Sequence, residues 1–260
     1  MKVRAKKALG QHFLKNRGIA MDIAKAMTMH GDYAKMLEIG PGTGALTTCI
    51  LEAFPETELY VMEIDQESIV YLEQEKILPS GRILPVDFLR ADLNELLGDN
   101  FGLIGNFPYN ISSQILFRVF DHRDDIPEIV GMFQKEVAER VASGPGNKNY
   151  GILSVLLQLF YDIEYLFTVD AQEFDPPPKV QSGVIRLRRN EVTELECDVK
   201  KLKRVVKAGF NQRRKMLRGS LKSILPKGTM LPDEYESKRP EQLSPDDFIR
   251  LTLALEQHLT

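Results

Sequence analysis

Asn106, Pro108 and Tyr109 stand together in "GNFPYN" (105–110), where the apolar run "FGLIGN" ends and "ISSQILFRVF" takes up a helical pattern. Such a turn is either punctuation between a strand and a helix or a pocket for a flat, amine-bearing ring. In the second reading, the Asn106 side-chain carbonyl and a backbone carbonyl near Pro108 accept hydrogen bonds from an aromatic amine. They thereby aim its nitrogen lone pair at an electrophile. Pro108 fixes its own φ and biases the preceding residue toward extended backbone, so the carbonyls are held in place. Tyr109 is placed to stack on the ring. An amine becomes far more acidic as it gains a methyl, so methyl transfer here needs alignment and oriented dipoles rather than a strong base. A stacked base cannot reach such a turn, and a nucleotide substrate must be flipped or taken from a loop. Phe174, in "EFDPPPKVQS", is either a second aromatic clamp or ordinary core packing.

A methyl donor has a candidate site upstream. "LEIGPGTGAL" sets Gly40, Gly42 and Gly44 between a strand and a helix, at the ligand-binding edge of an α/β sheet. The spacing is G-x-G-x-G rather than the dinucleotide G-x-G-x-x-G, and Glu38 precedes it on the strand. That carboxylate serves a pyrophosphate poorly and a cationic sulfonium such as S-adenosylmethionine well. Glu63 in "YVMEID" is expected at the end of the next strand, where it accepts both ribose hydroxyls. Asp87 in "ILPVDF" is expected to end the third, facing an adenine amine, and Asn106 the fourth. Each acid alone is as readily a cap or turn residue; four polar strand ends together point to a nucleoside.

The elements that must position these residues alternate from residue 19 to about 160. Near-continuous apolar strands separated by amphipathic helices imply an α/β fold with a doubly wound parallel sheet. Asn16 is expected to cap the first helix. "IEYLFTVD" and "GVIRLRR" read as a closing strand pair. After Arg189 the composition turns helical, and we expect a methyltransferase domain over 1–189 and a small all-helical domain over 190–260. Its last helix starts with Ser244 as cap, Pro245 at the first helical position and Asp247 completing a capping box. Phe248, Leu251, Leu255 and Leu259 form its apolar stripe.

The 260 residues are 43% hydrophobic and 27% charged, as in globular proteins. The longest apolar run is too short for a bilayer, and the basic N-terminus has no apolar signal core. A cytoplasmic protein with no membrane partner is expected. Cys49 and Cys197 suggest reduced thiols, and the histidines show no metal spacing, so no metal is assigned. Net charge is −3, yet three acid-free runs (1–18, 179–189 and 200–222) hold 20 of the 34 Lys and Arg. The remainder carries −23. So divided a surface suits a polyanion better than a set of solvated helix faces. Arg214, Arg218 and Lys222 are expected on one helical face as a phosphate track.

The sequence resembles the KsgA-type small-subunit ribosomal RNA adenine dimethyltransferases along nearly its whole length. "LGQHFLKN", "LEIGPGTGALT", "GNFPYNISSQILF", "FDPPPKVQSGVIRL" and "FNQRRKMLRGSL" carry the resemblance, and "FDPPPKV" with "NQRRK" is its most specific part. It implies a Rossmann-like class I methyltransferase sheet with a helical C-terminal domain that binds rRNA. The implied reaction is S-adenosylmethionine-dependent dimethylation of two adjacent adenosines in the 3′-terminal hairpin loop of 16S rRNA, with a role in small-subunit biogenesis. It assigns cofactor contacts to His12, Leu14, Gly40, Glu63, Asp87 and Asn106, and target-adenine contacts to Asn106, Pro108, Tyr109 and Phe174. Two positions depart from the family pattern: His12, where many relatives have Asn, and Phe107, where Leu is usual. A monomer is the simplest expectation. The competing readings are a resistance-type methyltransferase of large-subunit rRNA, a non-catalytic nucleic-acid-binding factor and a small-molecule methyltransferase. The basic C-terminal segment and the intact Asn106–Tyr109 turn speak against the last two.

Overall fold

The computed structural model describes residues 3–259, so Lys2 of the first basic run lies outside the described residues. A short strand β1 (Phe13–Leu14) and helix α1 (Arg17–Lys25) precede a strand–helix alternation. It runs β2 (Lys35–Ile39), α2 (Ala45–Ala53), β3 (Glu58–Met62), α3 (Gln66–Gln74), β4 (Ile83–Leu84), α4 (Leu93–Leu97), β5 (Phe101–Asn106), α5 (Ser112–Asp121) and β6 (Glu128–Gln134). Then come α6 (Lys135–Ala142), α7 (Ile152–Gln158), β7 (Tyr161–Val169), β8 (Phe174–Asp175) and β9 (Ser182–Arg189). The helices α8 (Val199–Asn211), α9 (Leu217–Ser220), α10 (Asp233–Glu236) and α11 (Pro245–Leu255) follow.

Among the described residues, seven strands form one sheet in the order β4-β3-β2-β5-β6-β9-β7. The neighbours from β4 to β6 are parallel, and β9 runs antiparallel to β6. The apolar strands are buried because helices cover both faces of such a sheet. Strand order reverses between β2 and β5, so the loops leaving their carboxyl ends part there and open a crevice. Gly40 follows β2 and Asn106 ends β5, which sets both at that crevice. β4 stops at Leu84, and Asp87 lies in the loop beyond it rather than at its end.

Local signals behave as the side chains dictate. Asn16 caps α1, accepting from the Gly18 and Ile19 N–H groups at 2.9 and 3.3 Å. Behind that helix the wholly buried Glu128 accepts from the Thr28 N–H and hydroxyl, the His30 N–H and the Tyr33 hydroxyl, the last at 2.7 Å. A buried carboxylate is tolerated because every donor in reach is aimed at it.

The chain forms two compact units. One holds the residues up to Glu139 with Asp162–Arg189; the other holds Arg140–Tyr161 with the residues from Asn190 onward. The second unit therefore includes α7 as well as the segment expected from residue 190. Leu153, Val155, Leu156 and Leu157 on α7 are buried, and α7 packs on α8 and α11. In α11 the Ser244–Asp247 capping box forms, with the Ser244 hydroxyl accepting from Asp247 N–H at 3.0 Å, and the Phe248, Leu251, Leu255 stripe is buried.

The third basic run does not form one helical face. α8 ends at Asn211, Gln212 leaves helical geometry at φ −123°, and Arg214 lies in a turn. Arg218 belongs to α9 and Lys222 to a 3-10 turn over Leu221–Ser223. Leu217 and Leu221 are both fully buried, and the Leu217 N–H bonds the Lys238 carbonyl at 2.8 Å. Burying those leucines requires the chain to fold back, which a continuous helix would forbid. Among the described residues, no helix is long and apolar enough to cross a membrane.

Candidate active site

The crevice at the switch point is a cavity walled by the β2–α2 loop, the turn after β5 and the N-terminal segment. Glu38, Gly40, Gly42, Glu63, Asn106 and Tyr109 line it, together with His12 and Leu14. Gly42 has φ +56°, and a Cβ there would stand 2.7 Å from the Phe13 ring. Glycine is thus needed both for the left-handed turn and for the strap that crosses it.

Glu63, 5% exposed, accepts from the Ile64 and Asp65 N–H groups at 2.9 Å each through Oε1, and from Gly42 N–H at 3.3 Å through Oε2. Burial nevertheless raises its pKa above the usual carboxylate range, against the pull of those three donors. The long Gly42 contact leaves Oε2 with acceptor capacity toward the cavity. Glu38 is deeper, with its Oε2 accepting the Thr47 hydroxyl at 2.6 Å. Burial pushes its carboxyl up to about 8; Thr47 opposes the rise and the Glu63 charge adds to it.

The "GNFPYN" turn is anchored on two sides. The Asn106 side-chain amide donates to the His12 carbonyl at 2.9 Å, which fixes Nδ2 toward the strap. Oδ1 then points away and has no hydrogen-bond partner among the described residues. The Pro108 carbonyl already accepts from Ile111 N–H and the Ser112 hydroxyl, each at 3.2 Å. The Phe107 carbonyl receives no hydrogen bond from the described residues, so it is the acceptor this turn offers. The Tyr109 hydroxyl is 2.5 Å from the hydroxyl of fully buried Ser182, which fixes the ring plane. One face of Tyr109 meets the His12 imidazole, with ring centroids 5.4 Å apart. His12 Nδ1 donates to the Pro176 carbonyl at 2.8 Å.

Two expected site residues lie apart from the cavity lining. Asp87 accepts from Leu89 N–H at 2.9 Å and is 3.7 Å from the Arg90 guanidinium. Phe174 is 1% exposed and pairs in register with Leu14 in the two-stranded β1–β8 sheet. The resemblance assigns His12 and Leu14 of this segment to the cofactor, but the strap that carries them is not legible as an element, and its basic residues read only as charge. Lys6 and Gln11 both donate to Asp65, and the Asn110 amide donates to the Ala8 carbonyl at 3.3 Å. The glycine at 42 leaves room for the Phe13 ring where the strap crosses.

A cavity at the switch point, with a glycine loop, two buried acids and an amide oxygen left open, is the arrangement of a methyl-transferring site. The family model for ribosomal RNA adenine dimethylase matches residues 2–255. The chain belongs to the ribosomal RNA adenine dimethylase family. It is 59% identical over 260 residues to a ribosomal RNA small subunit methyltransferase A of Porphyromonas gingivalis, covering 99% of this chain and 100% of that one. A protein of the same name from Cytophaga hutchinsonii is 56% identical, covering 96% and 97%. Among solved structures, a dimethyladenosine transferase from Plasmodium falciparum shares the fold with TM-score 0.75 at 24% identity, covering 95% of this chain and 98% of that one. The 23S rRNA methyltransferase ErmE shares it with TM-score 0.69 at 24% identity, covering 94% and 100%.

A dimethylase of this family is an α/β methyltransferase that uses S-adenosylmethionine, and the lining fits that cofactor. Glu38 and Glu63 put two carboxylates in the lining, and the Gly40–Gly42 backbone leaves room for a ligand to approach closely. Among the described residues, no cluster of His, Cys, Asp and Glu is placed to hold a metal ion.

Proposed function

We propose that this chain dimethylates the exocyclic amines of two adjacent adenosines in the 3′-terminal hairpin loop of 16S rRNA. It acts as a cytoplasmic monomer on the small ribosomal subunit or its precursor, with a part in subunit biogenesis. The observation that carries the reading is Asn106: its Nδ2 is committed to the strap, so its Oδ1 is oriented and open. The two relatives above are named for small-subunit rRNA, which supports that substrate over large-subunit rRNA.

The cofactor supplies an electrophilic methyl. Gly40, Glu63, the backbone of His12 and Leu14, and Asn106 hold it, while Asp87, in the loop beyond β4, accepts from the adenine amine. Asn106 Oδ1 and the carbonyl leading into Pro108 accept the two hydrogens of the target amine. Its lone pair then points along the line of transfer, and no general base is required. Tyr109, steadied by Ser182, stacks on the flipped base once His12 leaves its face. Phe174 joins the clamp when β1 and β8 part, since its ring is otherwise buried. The helical unit, which exposes Arg214, Lys215, Arg218 and Lys222, holds the rRNA backbone.

The test uses labelled S-adenosylmethionine with small subunits lacking the modification, large subunits and naked large-subunit RNA, with the methyls mapped by primer extension. Transfer to two adjacent adenosines of the small subunit alone is expected. Asn106→Ala is expected to lower kcat/KM by about 10²–10³-fold, as for loss of one pre-oriented dipole. Transfer to large-subunit RNA would overturn the small-subunit assignment.

A further inference from the structure

The helical unit contains a second cavity, of about 640 Å³, that no part of the methyl-transfer reading uses. Arg218, Lys222 and Lys227 reach it from three different segments: α9, the 3-10 turn after it and the loop that follows. All three are exposed, and none has an ion-pair partner among the described residues. Their backbones are pinned from beneath by fully buried Leu217 and Leu221 and by nearly buried Leu231. The loop wall is preformed: the Thr229 N–H and hydroxyl both bond the Pro226 carbonyl, at 3.2 and 3.0 Å, and Gly228 takes φ +92°. Met230, 80% exposed, stands in this wall beside Pro226. Glu236 is the only acid in the lining.

Each feature restricts the ligand. Three unpaired cations around one hollow call for phosphate oxygens. An exposed methionine in a cavity wall offers a soft, polarizable surface to a flat ring. A lone carboxylate would repel a run of phosphates but accepts from a ribose hydroxyl or a base amine. A bare anion uses only the first feature, and a helical duplex cannot enter a hollow of this size. We infer that this cavity is a second RNA site that takes one unstacked nucleotide of a single strand, its phosphate on Arg218, Lys222 and Lys227 and its base against Met230. The inference rests on the proposed action on RNA. It adds a fixed docking point, separate from the adenine pocket, that is blind to the sequence being modified.

The experiment follows the ¹³C-labelled Met230 methyl of the full chain, assigned through Met230→Leu, during titration with hexauridylate RNA. A shift of the Met230 signal that saturates is expected, lost in Lys222→Ala/Lys227→Ala. The same double variant is expected to raise KM for small subunits and to flatten the slope of log affinity against log salt for the hexamer by up to about 0.7, the contribution of one single-strand phosphate contact. A Met230 methyl that stays still while the RNA binds would overturn the site. So would an equal shift with polyglutamate, which would make the cavity an acidic-protein site. Asn106→Ala separates this claim from the catalytic one. It should cut transfer by about 10²–10³-fold while the Met230 shift persists, whereas a wild-type protein that shows the shift but methylates no rRNA would fail the functional reading alone.

Discussion

Glu38 is the residue whose charge state the fold leaves most finely balanced. It is 1% exposed, lines the cavity at the switch point, and is pushed up to about 8 by burial. Between its ordinary value of 4.5 and about 8 the free protein therefore keeps a proton that a cation would displace. Affinity for S-adenosylmethionine should rise as pH is raised through neutrality toward about 8, with proton release on binding. S-adenosylhomocysteine, lacking the sulfonium charge, should show a shallower rise. Calorimetry in two buffers of different ionisation enthalpy measures the released proton directly, and equal pH slopes for the two ligands would remove Glu38 from this role. The stability sign is opposite. The native state binds a proton that the unfolded chain has lost, so stability falls as pH rises from 4.5 toward about 8. Glu38→Gln should flatten that fall and weaken cofactor binding together. Phe107, one of the two departures from the family pattern, is settled by packing rather than charge. Its ring is 1% exposed, 4.8 Å from Phe133, and a Cβ on Gly131 would lie 2.3 Å from it. The larger side chain is absorbed by the core, and Gly131→Ala should unsettle the turn by overpacking, read as a lowered Tm together with reduced transfer.

At the scale of elements, the strap from Lys6 to Leu14 completes the cavity, and one buried side chain fastens it. Asp65 both caps α3 and receives Lys6 and Gln11; burial raises its pKa, but Lys6, Gln11 and Ser68 outweigh that and leave it lowered. Asp65→Ala should free the strap and weaken S-adenosylmethionine binding by at least about tenfold, the order of one lost charge-assisted hydrogen bond. Proteolysis near the N-terminus should quicken in parallel, and unchanged affinity would show that the strap is decoration. This element was the least legible in the sequence. A two-residue strand has no periodicity to detect, and β1 exists only because β8, some 160 residues away, pairs with it. The parallel strands were legible because burial on both faces demands unbroken apolar runs such as "KMLEI" and "EIVGMF". Asp87 shows the limit of that signal: Pro85 interrupts the apolar run, the strand ends at Leu84, and the acid falls in the loop. Likewise "NQRRKMLRGSL" suits a helix by composition, yet buried Leu217 and Leu221 turn it back on α8.

Across the whole molecule, the three basic runs look alike in sequence and differ in what they are free to do. In the second, Arg186 and Arg188 share Glu164 at 2.5 and 2.9 Å, and Arg189 reaches Asp124 at 3.3 Å. In the first, Lys6 is held by Asp65 and Glu67, and Arg17 by Glu52. The third run keeps Arg214, Lys215, Arg218 and Lys222 exposed and without ion-pair partners among the described residues. Charge that is already paired releases few counterions when a polyanion arrives, so the third run should dominate the salt dependence of RNA binding. Arg214→Ala/Lys215→Ala should flatten the slope of log affinity against log salt by about 1.4 to 1.8, taking about 0.7 to 0.9 per phosphate contact. Arg188→Gln should leave that slope in place and act on the sheet instead, where it frees Glu164 from one of two guanidinium partners. Measuring both variants against the same rRNA fragment at several salt concentrations decides the matter. An equal effect from the two would mean that the ion pairs on β9 open to RNA, and that net charge rather than pairing governs which cations the substrate feels.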